Sequence, residues 1–296
     1  MLKEQIQQII NSNPEYTAIT PVIEKEILHH DIMDVLVKEG VMQSLTFIGG
    51  TSLRMCYNSA RLSEDLDFNG GMNFKPSQFE GLEVEIQKYI QNKYETEVWV
   101  NKPTEVAQGN TSSWKISIIK EANRPDLPRQ KMHIDVCAIP SFDIEKRPLI
   151  NHYNIVVPTE GLLVPVQSLK ETFADKFIAL AYRSRRIKPR DIWDIVWIKQ
   201  RGISLSQELI NKKLAARDKQ NEDFIQSLQV QIERLMHDSE VHDDFNMEMS
   251  RFIPTQIKNR TIDSPEYWAY VQTEIKETAN TLISGRTTQN KFDMGF

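Results

Sequence analysis

The chain has 296 residues, 40% hydrophobic and 26% charged, a globular balance that excludes wholesale disorder and allows one large or two ordinary domains. Its formal net charge of -5 argues against a protein that coats nucleic acid non-specifically, so any anion binding must come from local clusters. Cys56 and Cys137 form no disulfide framework and read as reduced core thiols. The start MLKEQIQQII lacks a signal-peptide succession and no run approaches a membrane span, so the expectation is a cytoplasmic protein without membrane association.

In chain order, Thr20 as N-cap, Pro21 at the first helical position and Gly40 at the end delimit a helix. LTFI (45–48) reads as a short strand stopped by Gly49-Gly50, Thr51 to about Asn58 as a short helix, and EDLDF (64–68) as a strand. Pro76 to Lys93 is helical in pattern, whereas ETEVWV (95–100), SSWKISIIK (112–120) and KMHIDVCAI (131–139) have the character of strands. In the last, Met132, Ile134 and Val136 take one face and His133, Asp135 and Cys137 the other. YNIVV (153–157) suggests one more strand, after which strand signals cease.

Ser168 and Glu171 form a capping-box pattern opening the helix SLKETFADKFIALAYRS, with Phe173, Phe177, Leu180 and Ala181 at helical spacing. Lys176 lies at the margin of that stripe, from which its ammonium can snorkel toward a cleft. RDIWDIVWIKQRG (190–202) predicts another helix, and most of the remainder to about Ile283 is helical in composition. The expected organisation is a mixed α/β part over 1–160 followed by a helical part over 161–296.

The order strand, Gly-Gly-Thr, helix, strand with Asp-x-Asp carries the chemistry. Backbone N–H groups at a helix start favour a phosphate, and Asp65 and Asp67, two residues apart on a strand, point to one face. Asp135 on another strand adds a third hard oxygen ligand for a divalent cation. Alone, an Asp-x-Asp is more often a solubility feature and a Gly-Gly usually a turn. Together they meet the needs of nucleotidyl transfer, in which two Mg2+ ions bridged by carboxylates activate the attacking oxygen and neutralise departing pyrophosphate. His29-His30 completes no zinc spacing, and neither a nucleophile elbow nor a P-loop ending is present. Trp114, Trp193 and Trp197 read as core residues. The basic run from Arg183 to Arg190 is either a solvated loop or a contact for RNA or phosphate.

GGTSLRMCYNSARLSEDLDF (49–68) resembles the first motif of the AbiEii/AbiGii nucleotidyltransferase toxins, within the DNA polymerase β-like superfamily. ADKFIALAYRSRRIKPRDIWDI (174–195) resembles that family's later lysine motif and its Arg-Asp-x-x-Asp helix, so the likeness covers roughly 45–200. The resemblance implies an α+β fold: a polymerase β-like catalytic domain with a mixed sheet, followed by a helical C-terminal domain contributing Lys176 and Asp191. It implies phosphate contacts from Gly49, Gly50 and Thr51, metal binding by Asp65 and Asp67 with Asp135 by superfamily analogy, a triphosphate contact from Lys176, and a further acid in Asp191 with Asp194 one turn on. Thr51 stands where serine is frequent and keeps the hydroxyl; Arg61 and Ser63 are lesser candidates for orienting the strand or touching nucleotide. Acceptor contacts fall to Arg185, Arg186 and Lys188.

The activity implied is Mg2+-dependent transfer of NMP from an NTP to a hydroxyl, on RNA such as a tRNA 3′ end, by the toxin of a toxin–antitoxin or abortive-infection phage-defence pair with its antitoxin encoded nearby. A small-molecule or protein acceptor, or a non-catalytic nucleotide-binding module, stays open.

Overall fold

A computed structural model describes residues 2–103, 110–119, 128–183 and 185–292, with the backbone alone for 285–292. Lys120 of the expected strand 112–120 and Ser184 of the basic run lie outside them. The chain divides into two compact units, Met1–Gln167 and Ser168–Phe296.

In the first unit, alternating sequences become strands because one set of side chains can be buried while the other meets water. The strands are β1 (Thr46–Ile48), β2 (Leu66–Asn69), β3 (Val98–Asn101), β4 (Thr111–Ile118), β5 (Gln130–Cys137), β6 (Ile144–Pro148) and β7 (Leu163–Gln167). They form one seven-stranded sheet in the order β3-β4-β5-β2-β1-β7-β6. β1 and β7 run parallel, as do β2 and β5, and the other neighbours are antiparallel. On one face Leu66, Phe68, Val98, Val100, Trp114, Ile116, Ile118, Met132, Ile134 and Val136 are all buried, with Phe47 stacked on Phe68 at 5.2 Å.

The helices of this unit are α1 (Leu2–Ser12), α2 (Thr20–Lys38), α3 (Gly49–Tyr57) and α4 (Leu82–Tyr94). Thr20 is the first residue of α2 and not its N-cap: a 3-10 turn over Pro14–Ile19 winds straight into the helix, and the Thr20 hydroxyl donates to Thr17 O at 2.8 Å. Gly40, at φ +73, ends the helix in the left-handed conformation that glycine adopts without penalty. α2 and α3 are joined by a buried ion pair, Arg54 Nε to Glu26 Oε1 at 2.6 Å, with Arg54 Nη1 also donating to Ser59 O at 2.9 Å. Burial alone would raise the Glu26 carboxyl, but Arg54 outweighs it and brings the pKa down to about 2.

The segment 153–157 is not a strand. The Tyr153 hydroxyl donates to buried Glu26 and Val157 is buried, while Val156 between them is 86% exposed, so the apolar run is pinned at its ends and solvated between them. The last two strands flank it: β6 is a sheet edge with Glu145, Lys146 and Arg147, the charged composition that discourages edge pairing, and β7 carries Pro165. β7 continues the sheet, and the first unit runs to Gln167.

The second unit is helical: α5 (Leu169–Tyr182), α6 (Pro189–Lys199), α7 (Gln207–Ala215), α8 (Asn221–His237), α9 (Ser239–Met249), α10 (Thr255–Arg260) and α11 (Pro265–Phe292). Ser168 caps α5, its hydroxyl accepting from Glu171 N at 3.1 Å. Phe173, Phe177, Leu180, Ile192, Ile195, Phe224, Leu228 and Phe245 are buried, as are Trp193 and Trp197. Lys213, fully buried on α7, is paired with Glu171 and with Asp175 at 2.9 Å. Among the described residues no helix is long and apolar enough to cross a membrane.

A candidate phosphate and metal site

The carboxylates gather by strand register. Asp67 of β2 pairs laterally with Asp135 of β5, and Asp135 with Ser113 of β4, so the three share a face opposite the buried Leu66, Phe68, Ile134 and Val136. Asp65 lies one residue before β2 and has the parity of Asp67. Its Oδ1 accepts from the His133 backbone N–H at 2.9 Å, with His133 Nδ1 3.6 Å away. The segment entering Asp65 is held from α2, where Lys25 pairs with Glu64 at 2.7 Å and His29 Nε2 lies 3.0 Å from Glu64 O. Burial lowers the His29 pKa, and this ring, like His30 beside Thr159, serves internal packing.

Each glycine of the pair has a separate steric reason. Gly49 takes φ +77, and a Cβ there would overlap the Asp67 carboxylate, so its bareness lets the helix start abut the acid. A Cβ on Gly50 would overlap the Arg61 guanidinium and lie 2.9 Å from Ser63 Oγ. Arg61 is 2% exposed and donates through Nη1 to Leu62 O at 2.9 Å, which makes it a buried cation beneath the first turn of α3. Thr51 is buried and its hydroxyl donates to Asp65 O, so a phosphate contact by Thr51 would use its backbone N–H. An α-helix leaves its first N–H groups without intrahelical acceptors, and α3 has no side-chain cap.

Asp135 Oδ1 is buried and has no hydrogen-bond partner, which leaves this oxygen able to serve as a ligand. Among the described residues no three His, Cys, Asp or Glu side chains converge into a ready-made metal cage. The donor set still fits Mg2+, which takes one or two carboxylates and completes its shell with water and substrate phosphates.

In the second unit, Lys176 on α5 pairs with Asp191 Oδ1 and Asp194 Oδ2 on α6, each at 2.8 Å, and Arg183 Nη2 reaches Asp191 Oδ2 at 3.2 Å. Burial would raise the Asp191 pKa, but Lys176 and Arg183 outweigh it and lower it. The basic run is partly neutralised: Arg186 pairs with Asp244 and, at 3.0 Å, with Glu248, which also holds Arg190 at 3.0 Å. Arg185 and Lys188 are exposed.

Sequence reasoning placed His133 on the face of Asp135 but passed over Lys115 and Lys131, which share it; parity along β5 and the β4–β5 register carry that signal. A cavity of about 580 Å³ lies elsewhere, lined by Phe74, Phe79, Lys102, Ser112 and Trp114, on the side of β4 away from the carboxylates. Cys56 is buried, which pushes its thiol up to about 12, and Cys137 is half-buried; neither is in a disulfide.

A sequence profile of the family described as "Nucleotidyl transferase AbiEii toxin, Type IV TA system" matches residues 31–273. Among solved structures, the chain is similar to JHP933 from Helicobacter pylori, with 14% identity, coverage of 92% of this chain and 97% of that one, and a TM-score of 0.49. It is also similar to MenT4, the nucleotidyltransferase toxin Rv2826c from Mycobacterium tuberculosis H37Rv, with 15% identity, coverage of 96% and 89%, and a TM-score of 0.48. No curated protein matches.

Proposed function

The chain belongs to the AbiEii nucleotidyltransferase toxin family of type IV toxin–antitoxin systems, and from that premise we propose that it transfers NMP from an NTP to the hydroxyl of an RNA acceptor, a tRNA 3′ end, in a Mg2+-dependent reaction. The bond from the acceptor oxygen to the α-phosphorus forms, the bond from that phosphorus to the bridging oxygen breaks, pyrophosphate leaves, and the hydroxyl proton is released to solvent. The observation that carries the reading is the register that sets Asp67 beside Asp135 with an unpartnered Asp135 oxygen, next to a helix start kept bare by Gly49.

Asp65, Asp67 and Asp135 would hold Mg2+, which supplies Lewis acidity at the phosphate. The chain's own part is electrostatic and steric. The N–H groups of Gly49, Gly50 and Thr51 receive phosphate oxygens, the buried Arg61 adds positive charge below them, and Ser63 packs against the same glycine. On the strength of the family motif, Lys176 neutralises triphosphate charge and Asp191, with Asp194, orients it through their 2.8 Å pairs. Arg185 and Lys188 are candidate acceptor contacts, while Arg186 is engaged by α9. The biological role that goes with the family is growth arrest in phage defence, relieved by a cognate antitoxin encoded nearby, and the setting is the cytoplasm.

The deciding experiment incubates purified protein with each labelled NTP and, separately, total RNA, a protein extract and a small-molecule pool, with and without Mg2+. Label on RNA that needs Mg2+ and is absent with Asp67→Asn is the expected result. Label on protein or small molecules alone would overturn the acceptor, and no label on any pool would overturn the activity.

A further inference from the structure

The polar face of the sheet does not end at the carboxylates. Beside the row Asp67, Asp135 and Ser113 lies a second row, His133, Lys115 and Asn101, and beyond it a third, Lys131, Ser117 and Trp99. Arg129, just ahead of β5 and of the same parity, lays its guanidinium 4.2 Å from the centre of the Trp99 ring. Successive rows are two residues apart along the strands, about 7 Å, so the face runs about 14 Å from Asp135 to Lys131. Lys115, Lys131, Arg129 and Asn101 are exposed, and His133, Ser113, Ser117 and Trp99 are partly so. Among the described residues the acids here are Asp65, Asp67 and Asp135 at one end, with Glu97 just ahead of β3. In a chain of net charge -5, this is a local strip of cations, hydroxyls and one aromatic ring that starts at the candidate metal site.

We propose that this face of β3, β4 and β5 seats the acceptor as a single RNA strand, its terminal hydroxyl at the Asp67–Asp135 row and its preceding nucleotides running over Lys115, Lys131 and the Arg129–Trp99 pair. The inference rests on the RNA reading above and adds where and in what form the RNA binds. Cations at intervals along one line suit backbone phosphates, and a partly exposed tryptophan suits any base, because stacking is indifferent to sequence. The occupant is an extended anion, since a triphosphate held at α3 would leave the outer rows untouched. A duplex would rest on phosphates alone and would gain nothing from Trp99.

The test measures binding of a labelled single-stranded RNA oligonucleotide, without NTP or metal, across a salt series. For Lys115→Gln combined with Lys131→Gln, affinity at low salt falls about tenfold, and the slope of log K against log salt falls by about 1.4, at roughly 0.7 per lost phosphate contact. Trp99→Ala weakens binding about fivefold or more with the slope unchanged. Binding of Mg-NTP and the melting temperature match the parent, because these side chains stand on an open face. An unchanged slope in the double variant, or a loss seen only with Arg185→Gln and Lys188→Gln, would overturn the proposed path while leaving RNA as the acceptor. A parent protein that binds no RNA yet nucleotidylates protein or small molecules would instead refute the RNA reading itself.

Discussion

The two faces of the sheet are made by alternate residues of the same strands, yet they obey opposite rules. On β4, Trp114, Ile116 and Ile118 are buried, while Ser113, Lys115 and Ser117, which alternate with them, are polar and at least partly exposed. The buried face gains stability from packing and tolerates no missing volume. The open face contributes little to stability and sets Asp67 and Asp135 side by side on adjacent strands. The comparison teaches that substitutions one residue apart on a strand should separate folding from chemistry.

The largest expected effect breaks the comparison on the open side. Asp67→Asn or Asp135→Asn lowers nucleotide transfer by a factor on the order of 1,000, since shape is kept but a hard anionic ligand is lost. For Asp135→Asn, melting without Mg2+ is equal to or above the parent's, because a buried oxygen with no partner loses its charge. Paired activity and melting curves check both, and loss of activity through unfolding alone would count against the site.

On the buried side, Ile116→Ala removes about 2–5 kcal/mol of stability, read from denaturant unfolding, while transfer at low temperature stays within a few-fold of the parent. Acid sharpens the contrast next, because the groups that titrate to harm the fold, His30 and Glu26, are buried on α2 and are not the sheet carboxylates. Burial brings the His30 pKa down to about 4, so as pH falls from 6.5 to 4 the unfolded chain takes up a proton that the folded one refuses. Glu26, held near 2 against an ordinary 4.5, contributes stability above 4.5 that is lost as pH falls toward 2. Each is worth up to about 3 kcal/mol, and unfolding measured against pH should show both windows. The smallest effect belongs to Gly50→Ala, where the new methyl must displace Arg61: about 1–3 kcal/mol of stability, with a raised KM for NTP.

The carboxylate end of this arrangement was legible in the sequence because parity on a strand is a local property: Asp65 and Asp67 must share a face, and so must His133 and Asp135. The join between them was not, since the register of β2 on β5 is set by packing of segments about seventy residues apart. β6 escaped notice because Glu145, Lys146 and Arg147 hide an edge strand, and 153–157 misled because an apolar run can be anchored at its ends alone. Arg61 was the hardest case. An arginine in a polar stretch gives no sign that it will be buried under a glycine, and only the missing Cβ on Gly50 discloses it.

The hydroxyl of Thr51 donates to the backbone carbonyl of Asp65 and so fastens the first turn of α3 to the acid strand. A helix start that rocked would drag the acid strand with it, so the two move as one lever and not as neighbours. If, as proposed, α3 seats the nucleotide and that strand the cation, whatever factor one adds to the affinity of the other is returned in equal measure, and removing the cation should weaken the nucleotide as much as the reverse.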